Sequence, residues 1–247
     1  MGDGGADGSV GDGDGDGDAT GDGDGDTSGD GDGDGDDMSI DPLLDAPEAV
    51  EAGSLELDAD LGEVVHVSDL ALGLHTESGV SILDLSDPAE PGVHSKLDTT
   101  GRAIGVAYDS QRAILFIITV SGDLRAYRVA DVTAPVMAAQ ALIPDPGADA
   151  DSIRGIVRIG LRLFLLGQSQ LLPVEIRFGA NDTISLIAEA AVAIDGSPVR
   201  IAAGGGAIYV ALTGGDVQVW SGGASPSLQG SAELGGDITG WVVRGRR

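Results

Sequence analysis

Aspartates alternate with glycines in Asp12-Gly13-Asp14-Gly15-Asp16-Gly17, a spacing by which one short loop can offer several carboxylates to a hard cation. Asp12, Asp14 and Asp16 are therefore the candidate calcium ligands. The loop lacks the glutamate that closes an EF-hand and no helical pattern flanks it, which favours a solvated spacer over a specific calcium site. His66, His75 and His94 lie close along the chain, with Glu77 and Asp84 nearby, a donor set a metal could use. Their spacing matches no recognised ligand pattern, so ordinary strand and turn histidines are the simpler reading. Gly167-Gln168-Ser169-Gln170-Leu171 misses the last glycine of a nucleophile elbow. Gly204-Gly205-Gly206 lacks the Lys-Ser/Thr of a phosphate loop and reads as a strand connection. Trp220 and Trp241 read as packing residues. No catalytic residue and no cofactor beyond that calcium reading is assigned, and the chain is read as non-enzymatic.

The charge balance narrows the partners. The chain has 247 residues, with 41 Asp and Glu against 13 Lys and Arg, and a formal net charge of −28. Such a chain repels nucleic acid and anionic membrane surfaces, so nucleic-acid binding is not expected. Cysteine is absent, which removes disulfides, thiol catalysis and Cys-based zinc sites. The longest apolar run, Ala113 to Val120, is far short of the roughly 18 residues a membrane span requires.

About half of the acidic excess precedes Asp37. Residues 1–37 are almost wholly Gly and Asp, with almost nothing apolar to bury, and read as a disordered acidic tail. Residues 38–53 read as a linker containing Pro42 and Pro47. Residues 54–247 change to short apolar, β-branched stretches separated by Gly, Asp, Ser and Pro, the pattern of strands and turns. Leu186 to Ile194 is rich enough in alanine to be ambiguous.

A repeat organises these strands. Val80-Ser81-Ile82-Leu83-Asp84-Leu85 matches Leu124 to Val129, Leu171 to Ile176 and a copy beginning Val217-Gln218-Val219-Trp220. The successive offsets are about 44, 47 and 46 residues, close to one four-stranded propeller blade. A second strand precedes each copy: Leu70 to His75, Ile114 to Thr119, Leu161 to Leu166 and Ile208 to Leu212. Ser78-Gly79, Ser121-Gly122-Asp123 and Gly214-Gly215-Asp216 supply hairpin turns between the two. Ser54 to Leu57 reads as the outer strand of an earlier unit, and Gly240 to Arg247 as the inner strand of a fifth. The expected fold is all-β and propeller-like, with about four four-stranded blades, truncated or incompletely closed, behind the tail. Incomplete closure leaves room for oligomerisation.

The segment Gly79 to Pro91, with Asp84-Leu85-Ser86-Asp87-Pro88 at its centre, resembles the signature of LVIVD-repeat β-propellers. The second copy keeps Asp131 and Pro135, while later copies lose the turn, so the resemblance covers about residues 64–143. It implies a turn of this kind closing each repeat, and a bacterial surface or secreted propeller without a common enzymatic activity. Asp87 and Pro88 have a structural reading as turn formers. The expectation is a non-catalytic, extracytoplasmic binding or scaffold module displayed on an acidic spacer, with a protein or surface ligand as partner. The alternatives are a calcium-dependent propeller hydrolase and calcium-responsive adhesion through the tail.

Overall fold

Ile114-Leu115-Phe116-Ile117-Ile118 is buried at every position, which a strand achieves only when both faces of its sheet are covered. Ile114, Phe116 and Ile118 point into one apolar cluster, and Leu115 and Ile117 into another. This strand sits in the second of four antiparallel sheets. The computed structural model describes residues 53–68, 70–143, 153–236 and 238. The tail, most of the linker, Asp12, Asp14, Asp16 and the segment Gly240 to Arg247 lie outside the described residues.

The first sheet comprises β1 (Leu61–Val67), β2 (Leu70–His75), β3 (Val80–Asp84) and β4 (Gly92–Leu97). The second comprises β5 (Ala103–Asp109), β6 (Ile114–Thr119), β7 (Asp123–Arg128) and β8 (Val136–Leu142). The third runs β9 (Gly155–Ile159), β10 (Arg162–Leu166), β11 (Gln170–Phe178) and β12 (Ile184–Ala188), with short β13 (Val192–Ala193) also on β11. The fourth is β14 (Pro198–Gly204), β15 (Ala207–Leu212), β16 (Asp216–Ser221) and β17 (Leu228–Glu233). Each is an up-and-down meander. The fold class is all-β and propeller-like; the only helical piece among the described residues is a 3-10 turn at Ala180–Asp182.

The expected hairpin glycines do what their turns require: Gly79, Gly122, Gly214 and Gly215 all adopt positive φ. Proline explains the broken outer edge of the third sheet. Glu189 N–H donates to Pro173 O, so the nitrogen of Pro173 also faces that outer edge. Lacking an N–H, it cannot hold a partner there, and the outer strand divides into β12 and β13. The alanine-rich segment is thus strand at both ends.

Neighbouring blades pack face to face in chain order. Leu72, Val80 and Ile82 of the first meet Val106, Leu115 and Ile117 of the second. Phe116 and Ile118 meet Leu163, Leu165 and Val174 of the third. Phe164, Leu166 and Leu171 meet Ile208, Val210 and Trp220 of the fourth. Each such side chain contributes about 1.5–3 kcal/mol on burial, against about 0–1 for an exposed ion pair, so these three cores carry the stability. Among the described residues no fourth apolar cluster joins the last blade to the first.

Polar links sit at the rims of these cores. At the end of β5 the carboxylate of Asp109, 1% exposed, meets Arg112 at 3.1 Å and Arg158 of β9 at 3.2 Å. Arg112 also lies 4.8 Å from the ring centroid of Phe178. Two expectations are corrected here. The LVIVD-like turn lies within a blade, between its third and fourth strands, rather than at the close of the repeat. There Asp87 Oδ1 accepts from Ala89 N–H at 2.9 Å, and Asp131 Oδ1 accepts from Thr133 N–H at 3.0 Å and its hydroxyl at 2.6 Å. Ser54 to Leu57, expected as an outer strand, is not a strand. Its Leu57 lies over Gly73 instead, where a Cβ would come within 3.9 Å of Cδ1.

Two outcomes test this frame. Asp109→Ala removes the acceptor shared by two blades and should cost about 2–3 kcal/mol, the exposure of both arginines reducing the full buried-pair penalty. Urea unfolding at matched m-values measures it; a change within about 0.5 kcal/mol contradicts the clamp. The second concerns acid. The Thr133 hydroxyl, then its amide, holds Asp131 below its ordinary value of 3.8, and the Ser86 hydroxyl, then its amide, does the same for Asp84. A lowered folded-state value means stability present above the unfolded value and lost as pH falls through the folded one. The decline of Tm below about pH 4 should therefore be shallower in the Asp84→Asn, Asp131→Asn double variant. Equal slopes refute it.

Candidate functional site

The inner strands β1, β5, β9 and β14 run side by side along the blade axis. Three of them carry a register shift at the same place, between Leu61 and Glu63, Ala103 and Gly105, and Pro198 and Arg200. Such a bulge re-aims the side chain that follows it. The residues paired with the equivalent positions Leu74, Ile118, Leu166 and Ala211 of the second strands are Glu63, Gly105, Gly155 and Arg200. All four line one axial cavity of about 390 Å³. Its four blades therefore present an acid, two glycines and a base at one level.

The glycines let the inner strands approach. A Cβ on Gly105 would stand 3.0 Å from Ile156 Cγ2 and 3.3 Å from its nitrogen; one on Gly155 would stand 3.0 Å from Ile201 Cγ2. A second cavity of about 540 Å³ lies at the end where the inner strands begin, and includes Arg102, Arg154, His75 and Gln168. Glu63, Ile104 and Arg154 line both cavities, which makes them one continuous axial site.

The electrostatics of this site are unlike the rest of the protein. Arg112, Arg125, Arg158, Arg162 and Arg177 pair with carboxylates, and Arg128 donates to the carbonyl of Asp182. Arg102, Arg154 and Arg200 are exposed and form no side-chain hydrogen bond or ion pair among the described residues. All three face the axis. In a chain where acids so outnumber bases, unpaired guanidinium groups at one place are a concentrated positive potential. His75 adds a further unmet group. Its Nε2 lies 2.8 Å from Ser81 Oγ, and its Nδ1 is the buried side-chain polar atom without a partner among the described residues. At 4% exposure, that atom has little water to compensate it.

The three histidines do not meet. His75 belongs to the axial site, whereas His66 and His94 line a separate cleft of about 310 Å³ with Asp84 and Ser86. His94 Nε2 stands 3.8 Å from Asp84 Oδ2. Among the described residues no group of three metal-binding side chains forms. A calcium ion on the axis would confront three guanidinium groups, which opposes a calcium-dependent reaction there. Gly167-Gln168-Ser169-Gln170 is a hairpin turn, with Gly167 N–H donating to Gln170 O at 2.8 Å. Trp220 packs in the last interblade core and donates to Gln218 at 3.1 Å. Residue types and motifs do not single out the arginines. One signal is present: Arg154 and Arg200 stand equally far ahead of the repeat strands beginning Leu171 and Val217.

No family model and no curated protein matches the chain. Solved structures do. A protein from Lactobacillus plantarum aligns with a TM-score of 0.56 at 13% identity, over 71% of this chain and 56% of its own. BamB from Moraxella catarrhalis aligns with a TM-score of 0.51 at 14% identity, over 77% of this chain and 54% of its own. The fold is that of a β-propeller. The chain spans about half the length of each of these two structures. No helix among the described residues is long and apolar enough to cross a membrane.

Gly105→Val tests the packing that builds the axis. It should lower stability by about 1–3 kcal/mol through overpacking against β9, measured by thermal or urea unfolding. A neutral substitution contradicts the close approach of β5 and β9.

Proposed function

We propose that this protein is a non-catalytic binding module of propeller form, displayed outside the cytoplasm on its acidic N-terminal segment, which takes its ligand on the blade axis. The observation that carries the reading is that Arg102, Arg154 and Arg200 line two adjoining cavities on the blade axis that share Glu63, Ile104 and Arg154. Guanidinium groups keep their protons and donate hydrogen bonds; they recognise rather than transfer. The size of the cavity, about 540 Å³ at its wider end, suits a small ligand or a protruding segment of a surface partner. The resemblance of residues 64–143 to LVIVD-repeat propellers supports the surface setting.

Hydrogen exchange locates the binding face even while the ligand is unidentified. In the presence of an envelope extract from the source cells, amide protection should rise in Glu63–Val65, Arg102–Val106, Arg154–Ile156 and Arg200–Ala202. Protection confined to the outer strands β4, β8, β12 and β17 overturns the axial reading.

A further inference from the structure

We propose that the narrower axial cavity binds a compact dianion, and that Arg154 and Arg200 are its principal contacts. This deepens, and rests on, the reading of the axis as the ligand face. Arg154 lines both cavities, with Arg102 beside it in the wider one and Arg200 in the narrower. Two guanidinium groups, those of Arg154 and Arg200, are thus offered in the narrower cavity, each able to engage an oxyanion by two parallel hydrogen bonds. Neither has a side-chain partner among the described residues.

Glu63, which lines both cavities, sets the opposite preference at one point. It disfavours excess negative charge and can accept from a hydroxyl or amine on the ligand. The chemistry is that of a dicarboxylate or a phosphate, both of which present paired oxygens to guanidinium.

Isothermal titration of the full chain with succinate and with inorganic phosphate, at low ionic strength, tests the assignment. One-to-one binding of at least one probe is expected, and the preferred probe distinguishes carboxylate from phosphoryl recognition. Arg154→Ala and Arg200→Ala should each weaken it about tenfold or more, with unchanged melting temperature because both side chains are exposed. Arg177→Ala, which removes a surface arginine paired with Glu175, should leave it unchanged. Glu63→Gln should tighten it, a direction that loss of structure does not produce. Failure of both probes to bind, or equal weakening by Arg177→Ala, overturns the dianion assignment. If the axial strands still gain protection from the envelope extract, the binding face stands without it; if they do not, both readings fall.

Discussion

A four-stranded antiparallel meander with apolar side chains on both faces cannot stand alone in water, and everything else in this structure follows from that. Ile114 to Ile118 states the constraint most sharply, because alternate residues of one strand enter two different cores. Each sheet must be covered by its neighbours, and covering them in chain order generates the propeller arrangement. Ion pairs such as Asp109 with Arg158 then fix the rims of interfaces that apolar packing has already formed.

Stacking the blades brings their first strands together, and this creates the site as a by-product of the packing. The inner strands approach so closely that a Cβ on Gly105 or Gly155 would stand 3.0 Å from an isoleucine methyl of the next blade. The bulges in β1, β5 and β14 turn the following residue to the axis. Where the inner strands pack most closely the residue is glycine, and where they leave space a polar side chain can stand. That difference is where Glu63 and Arg200 enter. The axis combines a rigid frame with a few variable polar groups, the arrangement a preorganised binding site requires.

The parts of the fold that were legible in the sequence are those whose burial leaves a periodic mark. The second and third strands of each blade are buried on both faces, and Leu70 to His75 and Ile114 to Thr119 agree with the structure residue for residue. The outer strands leave little mark. β17 is exposed at every position, so Leu228–Glu233 shows no apolar alternation to read. Ser54 to Leu57 does show an apolar pattern, but it does not pair as a strand, and its Leu57 only reaches contact distance of Gly73 beside Leu61. The site was less legible still. Whether an arginine has a partner depends on residues distant in sequence, and neither Arg154 nor Arg200 sits in a recognised motif. The histidines were adjacent in sequence, yet the side-chain alternation and turns of the first blade send His75 to a different cavity from His66 and His94. The Gly-Asp segment with Asp12, Asp14 and Asp16 lies outside the described residues, and its calcium reading rests on spacing alone.

The central claim is that the axial arginines, which have no side-chain partner among the described residues, rather than arginines in general, define the recognition surface. Nitrogen–proton correlation spectra of the arginine side chains, recorded while phosphate replaces chloride at constant ionic strength, address it directly. The account predicts that the Nε–Hε signals of Arg102, Arg154 and Arg200 move saturably, while those of Arg125, Arg158 and Arg162, already paired with carboxylates, stay in place. Small, unsaturating movements spread evenly over all the arginines would contradict it.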